Sequence, residues 1–122
     1  MDFSVFLTPS QWHHRSIELE PASSLVHDIT FYQGDEDWKG KGFKLAIFGV
    51  EEDRNASGNV GCAQGSHVFR DYFYSLTKWD EDPQMVDLGN IKAGASVEDT
   101  LFAVRSICEA LIKSDIIPLI IG

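Results

Sequence analysis

The chain has 122 residues, 43% of them hydrophobic and 24% charged, which allows one domain with a single modest core. Its formal net charge of −9 argues against non-specific binding to nucleic acid or an anionic membrane, since both need a basic surface. Cys62 and Cys108 are the only cysteines. With no basic n-region behind Met1 and no apolar stretch long enough to span a bilayer, they read as reduced thiols of a cytoplasmic protein.

Residues 1–43 read as a variable N-terminal segment, set apart from an organised domain over 44–122. Phe3, Val5 and Leu7 alternate with Ser4 and Phe6 ahead of Pro9, the pattern of a short edge strand. Ser10 to His14 suits a loop or helical turn, and Leu25 to Tyr32 a short helix. Gly34 to Gly42 is a polar, glycine-rich connector. The continuous apolar run Leu45 to Val50 predicts a buried parallel strand. A long polar loop follows from Glu51 to Gly65. Ser66 is then expected to cap a helix with Val68, Tyr72, Phe73 and Leu76 on one face.

Met85 to Leu88 predicts a short second strand, closed by Gly89 and Asn90. Ser96 with Asp99 is a capping-box signature, opening a helix whose apolar stripe is Val97, Leu101, Val104, Ile107, Cys108, Leu111 and Ile112. The final run Ile116 to Ile121 is apolar throughout, as in a strand buried on both faces in mid-sheet, with its ladder starting at or just after Pro118. The order of elements predicts an α/β fold with a mostly parallel sheet. A mid-sheet strand normally leads into the loop where such folds place their chemistry, so the sequence is expected to be the first part of a larger domain.

The Glu51–Gly65 loop attracts most interest, because open α/β sheets bind ligands at the carboxyl ends of their strands. Its glycines, Gly58, Gly61 and Gly65, match neither a dinucleotide fingerprint nor a Walker loop. They suit a surface loop whose glycines take positive φ better than an anion-receiving helix start. Glu52, Asp53 and Asp87 are strand-end carboxylates able to hold Mg²⁺. In this they resemble the receivers of response regulators, although a receiver's first helix follows its acidic pair directly. A receiver-like signalling module is therefore one alternative reading, and a non-catalytic interaction domain another. Adjacent His13 and His14 diverge in either regular structure and do not suit one metal. His27 and His67 read as surface residues, Cys62 as a loop thiol without a nearby base, and Cys108 as core.

Taken together, several pieces resemble the arginase, agmatinase and formimidoylglutamase family of ureohydrolases. They are the strand ending in Gly49-Val50, the loop with Arg54-Asn55, Gly61 to Gly65 running into Val68-Phe69-Arg70, Met85 to Asn90, and Pro118 to Gly122. The similarity spans residues 44–122, and the Arg-Asn loop leans toward the formimidoylglutamase branch. Ser66 stands where the family usually has proline, and Asn90 where it often has aspartate. The resemblance implies a three-layer α/β/α hydrolase that cleaves a guanidino or formimino C–N bond with two Mn²⁺ ions, and a homo-oligomer. It carries no catalytic or metal residue onto this chain, whose 122 residues are expected to be inactive alone. Arg54 and Asn55 are the expected substrate-side residues, at the rim of the active site.

Overall fold

The structure, a computed structural model, describes residues 3–10, 12, 17–34 and 38–122; His13, His14 and the acidic centre of the 34–42 connector lie outside them. Five strands and two helices follow in the order β1 (Leu7–Thr8), β2 (Ile29–Phe31), β3 (Leu45–Val50), α1 (Gly65–Phe73), β4 (Met85–Ile91), α2 (Val97–Lys113) and β5 (Ile117–Ile121). The result is a mixed α/β fold on one mostly parallel sheet. β4 pairs with β3 in parallel on one side. On its other side it takes β2 in parallel near its start and β1 antiparallel near its end. β5 adds to the far side of β3, again in parallel.

β3 and β4 take the centre of the sheet, where both strand faces are covered. Residues 46–49 of β3 and all seven residues of β4 are buried. Successive side chains of β3 serve two different clusters, as the pleat requires. Ala46 and Phe48 join Val86, Leu88 and the α2 residues Ala103, Ile107 and Leu111. Ile47 joins Met85 and Tyr74, with Phe69 and Phe73 of α1 packed alongside. Each fully buried Ile, Leu or Phe contributes about 1.5–3 kcal/mol.

Several expectations need correction. The stretch before Lys44 supplies two strands of the sheet and sends Phe3, Leu7, Tyr32 and Trp38 into the same cluster as α2. Phe3 to Val5 is a 3₁₀ turn rather than strand, leaving Val5 exposed. The helix expected from Leu25 is a four-residue 3₁₀ turn that gives way to β2, where Ile29, Thr30 and Phe31 find a parallel partner in β4. Helical periodicity there was too short to compete with a ladder.

α1 packs on a different face from the expected one. Ser66 and Arg70 are buried, whereas Val68, Tyr72 and Leu76 stay more than half exposed. Gln64, not Ser66, holds the N-cap position. α2 keeps its box, with Ser96 Oγ accepting from Asp99 N at 3.2 Å. Its buried line is Thr100, Ala103, Ile107 and Leu111, and Leu101 and Ile112 fall outside the arc the sheet covers.

β5 is an edge strand among the described elements, with Ile117 and Ile120 exposed. Its ladder starts one residue before Pro118. Ile117 N donates to Lys44 O at 2.9 Å, so alternation turns the nitrogen of Pro118 to the outer edge, where its missing N–H costs no ladder bond.

Candidate functional site

Parallel pairing brings the carboxyl ends of β3, β4 and β5 to one edge of the sheet. α1 begins there too: the backbone oxygen of Gly122 lies 3.3 Å from where a Cβ on Gly65 would stand. The polar heart of this edge is Arg70, 1% exposed, against fully buried Asp87. Arg70 Nε donates to Asp87 Oδ2 at 2.8 Å and Nη2 to Oδ1 at 3.0 Å, a bidentate pair. Nη1 reaches Asn90 Oδ1 at 2.7 Å, and Nη2 also reaches Gly89 O at 2.9 Å. The carboxylate is completed by Tyr74 Oη–H and by Gly89 N at 2.8 Å.

A bulge makes this convergence possible. Ile47 pairs with Asp87 but Gly49 with Asn90, so β4 carries one extra residue between those pairs. Residues three apart on a regular strand point to opposite faces; the extra residue restores parity, and Asp87 and Asn90 both meet Arg70. Gly89, at φ 86°, takes the left-handed conformation this needs. A methyl group there would overlap Thr8 O of β1. Gly49 is constrained by proximity instead, since a Cβ on it would strike the side chains of Ser66 and Asn90.

Burial works against the charge of Arg70, but the hydrogen bonds and charge of Asp87 outweigh it and hold its pKa above the ordinary value. Desolvation, reinforced by the charge of Asp87, drives the Tyr74 phenol far above the ordinary value of 10.0. Ser66 Oγ is buried beside this network without a hydrogen-bond partner.

Outside the network, Asn90 Nδ2 lies 3.3 Å from His67 Nε2, and the same nitrogen lies 3.3 Å from Glu51 Oε1. The imidazole, expected on the surface, is half-buried at the base of the loop. The loop itself is stapled down. Arg54 Nε donates to Glu52 Oε2 at 2.8 Å and its Nη2 to Oε1, while Nη1 reaches Ala95 O at 3.2 Å. Thr100 Oγ1 donates to Glu52 Oε1 at 2.8 Å, tying the loop to the first turn of α2. Hydrogen bonds from Arg54 pull the Glu52 carboxyl down to about 2. Asp53 Oδ2 accepts from Gly61 N at 2.9 Å and closes the loop on itself. Gly58 and Gly61 take positive φ, while Gly65 is helical at −59°.

Of the two expected substrate-side residues, Arg54 spends its guanidinium on Glu52, Ala95 and Thr100, and Asn55 is exposed in the adjoining turn. Glu52, Asp53 and Asp87 are not brought together: each is engaged by a different partner. Among the described residues, no three His, Cys, Asp or Glu side chains group so as to hold a metal ion. Cys62 and Cys108 are free thiols, and burial raises the pKa of the latter. Residue-by-residue reading missed Arg70 and Tyr74 as a pair. The available signal was their spacing of four on a helix facing an aspartate inside an apolar strand. No helix among the described residues is long and apolar enough to cross a membrane. No family model, curated protein or solved structure matches the chain.

Proposed function

We propose that these residues form part of a ureohydrolase-type enzyme, a three-layer α/β/α hydrolase that cleaves the C–N bond of a guanidino or formimino substrate such as arginine or formimidoylglutamate. One observation carries this reading. From the pieces that resemble the family, Gly49, Gly65, Asn90 and Gly122 come together where the carboxyl ends of β3, β4 and β5 meet the start of α1. That is where an open α/β sheet places its ligand. The described residues do not fit the manganese pair the family implies, so no catalytic step is derived through it. What this chain contributes is support. The Arg70–Asp87–Asn90 network ties α1 to the end of β4, and the Glu52–Arg54–Thr100 staple ties the loop to the start of α2, with Arg54 and Asn55 at its rim.

The same reading makes the protein a cytoplasmic homo-oligomer with no nucleic-acid or membrane partner. Its self-associating face would be the outer edge of β5, where Ile117 and Ile120 are exposed. The natural gene product, supplied with Mn²⁺ and offered arginine, agmatine, guanidino acids and formimidoylglutamate, is expected to release urea or formamide from one of them. Turnover of none overturns the assignment. Light scattering that gives a monomer mass at every concentration refutes self-association.

A further inference from the structure

Only one orientation of the Asn90 carboxamide satisfies its neighbours. Its Oδ1 accepts from Arg70 Nη1, so the Nδ2 facing His67 Nε2 is a donor. The same ring nitrogen faces Glu51 Oε1, which as a carboxylate only accepts. A single nitrogen is thus asked to accept from β4 and to donate to the end of β3. One protonation state meets one demand and no more.

We propose that His67 is a proton-operated latch on the Glu51–Gly65 loop. In the neutral form Nε2 accepts from Asn90 and the ring proton sits on Nδ1. On taking up a proton, the ring turns Nε2–H to Glu51, forming an ion pair that pins the base of the loop to the first turn of α1. Glu51 is the carboxylate facing the ring from the end of β3. From β4 comes Asn90, with Arg70 and Asp87 behind it balancing each other's charge. The Gly122 backbone oxygen approaches Gly65, two residues before the imidazole. A cation in the first turn of a helix is opposed by the helix dipole, so the closed state depends on Glu51.

The latch needs no ligand and is independent of the enzymatic assignment above. Nitrogen-15 NMR of the imidazole and hydrogen-exchange protection factors for amides 51–65 test it across pH 5–8, the interval in which histidines commonly change charge. Neutral His67 is expected to show an unprotonated Nε2. Protonation is expected to raise loop protection about two- to fivefold, the range for a partly exposed ion pair. In Glu51→Gln the rise disappears while the neutral tautomer stays the same. A neutral ring protonated on Nε2 overturns the proposal without recourse to any variant. Loop protection that follows pH equally in the parent and in Glu51→Gln overturns it as well.

Discussion

Arg70→Met tests whether the buried ion pair holds the carboxyl edge together. Methionine keeps much of the stem volume but removes all four hydrogen bonds that the guanidinium gives to Asp87, Asn90 and Gly89. Asp87 then remains fully buried, with only Tyr74 Oη and Gly89 N as partners. Breaking one side of a buried pair costs about 3–5 kcal/mol, because the surviving charge is left without compensation. A domain of this size has about 5–15 kcal/mol in total, so the variant is expected to fold but to unfold at markedly lower urea concentration. Asp87→Asn strands the opposite charge and is expected to cost a similar amount. The double variant removes both charges, and its loss is expected to fall short of the sum by about 0.5–3 kcal/mol. Urea titration followed by tryptophan fluorescence reads this directly, since the Trp12 ring lies 5.4 Å from that of Tyr74. A loss below about 1 kcal/mol for Arg70→Met, or strict additivity in the cycle, refutes the assignment of a stabilising role to the pair.

Tyr74 holds its proton far above the ordinary value in the folded state and releases it near 10.0 when unfolded. Its contribution is therefore complete below pH 10 and declines above it, by about 1.4 kcal/mol per pH unit. Tyr74→Phe should flatten that alkaline limb in pH-dependent urea titrations; an unchanged limb shows the phenol is not its source. Glu52 behaves oppositely. Its folded pKa is about 2 against an ordinary 4.5, so its contribution is present above 4.5 and is lost as pH falls toward 2. The side-chain carboxyl carbon-13 shift should titrate near the lower value, and Arg54→Ala should return the midpoint toward the higher one. A midpoint indifferent to Arg54→Ala counts against the staple. Ser66→Ala removes a buried hydroxyl that has no partner, so stability should hold or rise by up to about 1–3 kcal/mol. A clear loss would mean the hydroxyl is bonded after all.

Composition and local pattern determined the α/β class, the buried run of β3 and the capped start of α2. Those features depend on neighbours within a few residues, where period-2 burial, continuous apolar runs and capping residues act directly. The same information misplaced the N-terminal stretch, because β1 and β2 exist only through pairing with β4, whose first residue lies more than fifty positions downstream of β2. It also misread α1, where periodicity favoured Val68 and Tyr72 while the fold buried Arg70. A cation earns an interior position only when a matching carboxylate arrives from elsewhere in the chain, and Asp87 does so from another strand. Which carboxylates remained open to solvent was likewise decided in three dimensions. The bulge at Gly89 reverses the parity of β4, an event that one-residue register arithmetic over a short strand does not reveal. Local sequence set which elements form; long-range pairing set which faces they present and which charges they enclose.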